Sequence, residues 1–174
     1  MIKSWRLCSL LIIMVLLVAC SSGSAPEAET ESERESQAGS TIESSDFPFM
    51  GVAELDRFLA DNNEKPTMVL FWTTWCPSCK QQIPEMEQLN KSHGEKMNII
   101  TISLDENVAA LASFFKKGRL DLPVYIGNDV IAERFEVSAI PTLVIFDKQG
   151  KQTFSKAGIF PHSMLKAMAD NLIK

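Results

Sequence analysis

Phe71-Trp72-Thr73-Thr74-Trp75-Cys76-Pro77-Ser78-Cys79-Lys80 is the stretch on which the reading of this chain turns. Its leading side, Thr67 to Thr73, is a near-continuous apolar run of strand length, the pattern of a strand buried on both faces. After Cys76-Pro77 the spacing of Ile83, Met86, Leu89 and Asn90 predicts a helix that ends near His93-Gly94. Two cysteines separated by two residues, placed after a buried strand and opening a helix, suit reversible disulfide chemistry. Cys76 falls at the predicted helix N-terminus, where unpaired N–H groups and the macrodipole favour a thiolate. Pro77 fits an early helical position, where its missing N–H costs nothing. Cys79 lies about one turn on and can resolve a mixed disulfide formed at Cys76. Cys76 is therefore the candidate nucleophile and Cys79 the candidate resolving thiol, with Ser78 between them to tune the pair. Two blander readings are weaker. A static staple closing so small a loop adds little stability. Zinc normally takes four ligands, and only His93 and His162 remain beyond the pair, at no matching spacing; no metal and no cofactor is expected.

Outward from this stretch, helical and strand patterns alternate. Val52, Leu55, Phe58 and Leu59 predict a helix over 51–62, closed by Asn62-Asn63. Residues 98–104 form a second β-branched strand, and Val108, Leu111, Ala112 and Phe115 a helix stopped by Gly118. A short strand at 123–126 and a short helix at 130–135 follow. Residues 142–146 run into Asp147-Lys148-Gln149-Gly150, a hairpin signal, before a return at 152–156. Residues 161–173 read as a final helix with Pro161 near its start and Met164, Leu165, Met168 and Leu172 on one face. The order βαβαβαββα predicts an α/β domain with a mostly parallel sheet, helices on both faces and an antiparallel hairpin at one edge. Trp72 and the Phe114-Phe115 pair are expected in the core, Lys80 in solvent, and neither histidine has an evident partner.

The chain has 174 residues, 45% of them apolar, with 22 acidic against 17 basic residues and a net charge of −5. That apolar content excludes wholesale disorder, and the acidic balance argues against a nucleic-acid partner. The charge is unevenly spread. Lys3 and Arg6 precede an uncharged run from Leu7 to Ala19, too short for a comfortable span of roughly 20 residues and suited to a secretory signal. The run ends in Leu17-Val18-Ala19-Cys20, which resembles the lipobox of bacterial lipoproteins. That resemblance implies cleavage after Ala19 and acylation of Cys20, with two or more acyl chains giving stable attachment. Residues 20–46 are Ser-, Glu- and Gly-rich, with Glu27, Glu29, Glu31, Glu33 and Glu35 in alternation, and read as a disordered, self-repelling tether. Removing Lys3 and Arg6 from the 17 basic residues leaves 15 against 22 acidic, a net charge of −7. The expected organisation is thus a signal peptide at 1–19, a lipidated tether at 20–46 and one domain at 47–174. The expected location is extracytoplasmic, on the surface of a monoderm or in the periplasm of a diderm.

The stretch around Cys76 and Cys79 closely resembles the active-site segment of thioredoxin-fold proteins, and Ala139-Ile140-Pro141-Thr142 resembles their second signature. The resemblance implies a thioredoxin-like fold with a central mixed sheet. It implies a cis Ile140-Pro141 bond facing the cysteines, with Ile140 and Pro141 docking an extended client beside Trp75. The helix–strand unit at about 107–126 is an insertion relative to a minimal thioredoxin. With the lipoprotein anchor it is similar to the TlpA/ResA-like extracytoplasmic thiol–disulfide oxidoreductases. That likeness implies a monomeric reductase of exported proteins, such as apocytochrome c or a methionine sulfoxide reductase, with a membrane electron donor of the CcdA/DsbD type. Pro77 directly after the first cysteine also occurs in oxidants, so a disulfide-forming role is the alternative. A thiol peroxidase and an inert binding lipoprotein fit less well. The chain also departs from both patterns. Thioredoxin has a buried Asp where this chain has Leu70, and ResA-like proteins have a Glu where it has Gln82. No proton acceptor for Cys79 is thereby assigned, with Glu85 or water as candidates. The amino-terminal hairpin of the TlpA group is not visible either.

Overall fold

Every residue of the strand Thr67–Trp72 (β1) is buried, as its unbroken apolar pattern demands. The computed structural model of the chain describes residues 47–115 and 120–174. The expected signal peptide, Cys20, the acidic tether and Gly118 lie outside the described residues. Among the described residues no helix is long and apolar enough to cross a membrane.

The elements follow in the order α1 (Val52–Asp61), β1, α2 (Pro77–His93), β2 (Asn98–Ser103), α3 (Val108–Phe115), β3 (Val124–Ile126), α4 (Asp129–Arg134), β4 (Thr142–Phe146), β5 (Gln152–Ala157) and α5 (His162–Leu172). They build one five-stranded sheet of order β3-β2-β1-β4-β5. β1 pairs in parallel with β2, and β2 with β3, while β4 runs antiparallel to both β1 and β5. The sheet is therefore mixed, as the family resemblance implies, and less parallel than the element order alone predicts. The inserted unit supplies α3 and the edge strand β3.

Side-chain alternation along β1 divides the core in two. Met68, Leu70 and Trp72 point into a cluster with Cys79, Ile83, Met86 and Leu89 of α2, Leu111 and Phe115 of α3, and Leu165 and Ala169 of α5. Val69 and Phe71 point the other way, toward Leu55 and Leu59 of α1, Ile131 of α4, and Phe135. Helix ends obey local chemistry. Asn62 closes α1 by donating its backbone N–H and side-chain amide to the Phe58 carbonyl. Asn128 caps α4 by accepting the Ile131 N–H.

Two expectations need correction. Met164 is half exposed rather than on the buried face of α5, because that face centres on Leu165 and Ala169, one residue further round. His93 does have partners. Its buried ring bonds Ser92 Oγ through Nδ1 at 2.7 Å and Asp170 Oδ1 through Nε2 at 3.2 Å, which ties α2 to α5. Hydrogen bonding to Lys166 and then to His93 holds the Asp170 carboxyl below its ordinary range. Also unforeseen, Phe49 bridges in parallel to Ile126 and lengthens the sheet beyond β3.

Candidate active site

The geometry of strand ends assembles the site. The last backbone bond between β1 and β2 runs from Leu104 N–H to the Trp72 carbonyl at 2.8 Å. Thr73 and Thr74 then carry the chain off the sheet, and Cys76 N–H folds back to the Thr73 carbonyl at 3.4 Å. Cys76 becomes the N-cap of α2 with Pro77 in the first turn. Its Sγ accepts the Cys79 N–H at 3.1 Å, so a helix-terminal donor is already aimed at the sulfur on which negative charge would develop. Cys76 and Cys79 form a disulfide with their Cα atoms 5.2 Å apart. Ser78 Oγ lies 3.2 Å from Cys76 Sγ, a second polar contact to the same sulfur.

β4 brings the second segment to this point. Because it runs antiparallel to β1, its first residue, Thr142, pairs with Phe71 near the end of β1. The residues just before it therefore lie beside the cysteines. The Ile140-Pro141 peptide bond is cis, and the Ile140 carbonyl oxygen lies 3.8 Å from Cys76 Sγ. The Pro141 carbonyl accepts the Gly158 N–H at 2.8 Å, which joins the loop after β5 to the same edge. Gly158 has a φ of +132°, a conformation that favours glycine. Trp75 is 69% exposed next to Cys76, whereas Cys76 retains 3% exposure and Cys79 none. An incoming thiol or disulfide thus meets Cys76 first, between an indole and an apolar loop.

Beneath the cysteines the departures noted in the sequence take physical form. Leu70 is fully buried in the same apolar cluster as Cys79. Gln82, also fully buried, uses its amide to bond both backbone groups of Phe160, accepting that residue's N–H at Oε1 and donating from Nε2 to its carbonyl at 3.3 Å. A carboxylate could accept but not donate, so this position is built for a neutral amide. Glu85 is half-buried on α2. Pro77, Ser78, Trp75, Ile140 and Pro141 all gather around the pair, and Lys80 is exposed.

Sequence reasoning missed one buried group. Asp105, 6% exposed, accepts from Thr74 N–H at 2.8 Å, from Thr74 Oγ at 2.7 Å and from Ser103 Oγ at 2.7 Å. The available signal was its place, just past the carboxyl end of a parallel strand, where α/β folds gather functional groups. Trp72 Nε1 and Thr73 Oγ are buried without a partner among the described residues.

Comparison with known proteins agrees with this geometry. A family model described as thioredoxin-like matches residues 63–152. The thioredoxin-like protein YneN of Bacillus subtilis is 28% identical over 153 residues, covering 86% of this chain and 87% of that one. The thiol-disulfide oxidoreductase ResA of Bacillus cereus is 35% identical over 96 residues, which cover 53% of this chain and 55% of ResA. Among solved structures, the exposed lipoprotein thioredoxin Etrx1 of Streptococcus pneumoniae superposes with a TM-score of 0.61 at 22% identity, over 66% of this chain and 90% of that one.

Proposed function

The chain belongs to the thioredoxin-like family, and on that premise we propose that this thiol–disulfide oxidoreductase reduces disulfides in exported proteins, with Cys76 as nucleophile and Cys79 as resolving thiol. In the reduced form the Cys76 thiolate attacks one sulfur of a client disulfide and the other client sulfur leaves as a thiolate. The deprotonated Cys79 then attacks Cys76 Sγ, closes the Cys76–Cys79 disulfide and frees the second client sulfur. Two electrons pass from the cysteine pair to the client, and two protons end on the client thiols. The observation that carries this reading is the asymmetry of the pair. Cys76 is the helix N-cap, receives the Cys79 N–H and borders the client-facing surface of Trp75 and Ile140, while Cys79 is sealed behind it.

The lipobox-like ending at Cys20 and the acidic stretch to residue 46 support anchoring on the outer face of a bacterial membrane, with residues 47–174 as the working domain. A relative named ResA and the fold likeness to an exposed lipoprotein thioredoxin are consistent with that placement. Incorporation of labelled fatty acid into the wild type and not into a Cys20→Ser variant tests the anchor. By resemblance, the clients are apocytochrome c or a methionine sulfoxide reductase, and the electron donor is a membrane protein of the CcdA/DsbD type.

Equilibration of the pair against glutathione tests the direction of electron flow. A reduction potential near ~−270 mV is expected for a reductant, and one near ~−120 mV would instead make the protein an oxidant. A Cys79→Ser variant should accumulate mixed disulfides with clients through Cys76, and failure to recover any would remove the assigned roles.

A further inference from the structure

Asp105 is a buried carboxylate whose partners among the described residues are a backbone N–H and two hydroxyls. Its position just before α3 suggests a helix cap, but that task belongs to Asn107, whose side-chain oxygen accepts the Ala109 N–H at 3.0 Å. Asp105 instead turns inward. Its own N–H bonds Ser103 Oγ at 3.1 Å, and Ser103 Oγ in turn donates to the carboxylate, which fixes the side chain against the end of β2. Oδ2, which accepts the Ser103 hydroxyl, also takes the N–H of Thr74, two residues before Cys76, and Oδ1 takes the Thr74 hydroxyl. Thr74 lies beyond the last backbone bond of the β1–β2 ladder, so the carboxylate continues the ladder by one step where no backbone carbonyl reaches. The turn that delivers Cys76 is thus held twice, by Cys76 N–H on the Thr73 carbonyl and by the two donors of Thr74, its backbone N–H and its hydroxyl, on Asp105.

We propose that Asp105 is a positioning residue for the redox site, clamping Thr74 so that Cys76 Sγ stays on the Cys79 N–H. The inference rests on the reading of Cys76 as the nucleophile and extends it to a residue 29 positions away. Its chemistry is that of shape. Thr74 presents two donors about one side chain's width apart, and a carboxylate or an isosteric amide spans them. Without the clamp, residues 74–76 gain freedom, the N–H to Sγ contact loosens, and the thiolate loses the donor that favours it.

The test follows the alkylation of Cys76 in the reduced full-length protein across pH, read by mass spectrometry of the peptide that carries it. Asp105→Ala is expected to slow alkylation at pH 7 about tenfold, with the profile displaced upward by about one pH unit. Thr74→Val, which loses the hydroxyl bond but keeps the backbone N–H bond, is expected to slow it about threefold. Asp105→Asn keeps an acceptor for the Thr74 N–H and offers its amide to the Thr74 hydroxyl, so it is expected within about threefold of wild type. Thr74→Val leaves the carboxylate and Ser103 in place and serves if Asp105→Ala does not fold. A folded Asp105→Ala or Thr74→Val protein with the wild-type profile overturns the proposal. So does an Asp105→Asn protein as impaired as Asp105→Ala, since that outcome assigns the effect to charge. Insulin reduction by the wild type is the separate control. Its absence counts against the functional reading, whereas the alkylation profiles judge the clamp alone.

Discussion

Replacing Gln82 by Glu exchanges one amide NH2 for an oxygen in a fully buried place. Gln82 Nε2 donates to the Phe160 carbonyl at 3.3 Å while Oε1 accepts the Phe160 N–H. An ionised carboxylate retains the second bond but sets oxygen against oxygen in the first. A protonated carboxyl restores both. The introduced group therefore keeps its proton in the folded protein, with a pKa raised above the unfolded value of about 4.3. Below that value both states are protonated and the substitution carries little penalty. Above it the unfolded chain ionises while the folded one does not, so stability falls by about 1.4 kcal/mol per pH unit until the folded group ionises. If the proton is held to pH 7, the loss reaches about 3.7 kcal/mol there. Urea unfolding of the oxidised wild type and Q82E between pH 4 and 8 reads the difference directly, and keeping the disulfide closed removes any contribution from the cysteine thiols. A difference below about 0.5 kcal/mol that does not change with pH would show that the donated bond to Phe160 carries no weight, and the reasoning would fail.

Trp75→Ala removes a side chain that is 69% exposed, so stability should change by less than about 0.5 kcal/mol. Its KM for a protein disulfide should rise about tenfold while reduction of a small-molecule disulfide is unaffected, and equal losses on both substrates would refute a docking role. Gly158→Ala meets no atom within 4 Å of the added methyl, yet φ is +132°. It should therefore cost about 1–3 kcal/mol through the backbone alone, measurable as a lower urea midpoint with an unchanged slope. Asp170, whose carboxyl is held low by Lys166 and His93, contributes stability that is present above the unfolded pKa and lost as pH falls through the folded one. Asp170→Asn should flatten the acid limb of the thermal melting profile, and an acid limb as steep as that of the wild type would contradict the assignment.

The parts of the molecule that announce themselves in the sequence are those whose signal is local. The buried strand before Cys76, the N1 proline, the hairpin at residues 147–150 and the Asn62 closure of α1 each rest on a few adjacent residues, and each appears as expected. The Ile140-Pro141 segment was legible only through resemblance, since nothing nearby reveals that an antiparallel β4 will set it beside a cysteine 64 residues earlier. Pairings across the fold left no trace. Asp105 stands 31 residues from Thr74, His93 stands 77 from Asp170, and Gln82 stands 78 from Phe160. A polar residue in a helix or after a strand reads as solvated until its distant partner is known, so Asp105 carries no signal of its own and Gln82 reads only as the loss of an acid. The exposed Met164 shows the converse, an apolar residue that borders a buried face without belonging to it.

The antiparallel setting of β4 against β1 divides the active site between two stretches of chain that never touch in sequence. Residues 75–79 carry the disulfide and the exposed Trp75, whereas 139–142 carry the cis peptide whose Ile140 carbonyl lies beside Cys76 Sγ and whose Pro141 carbonyl accepts the Gly158 N–H. The pairing of two strand ends, together with the bonds of Gln82 to Phe160, holds the halves in alignment. On the docking role proposed for the second half, client preference can drift through substitutions there while the cysteine pair of the first stays in place. A lineage of such proteins can change what it serves without rebuilding how it transfers electrons.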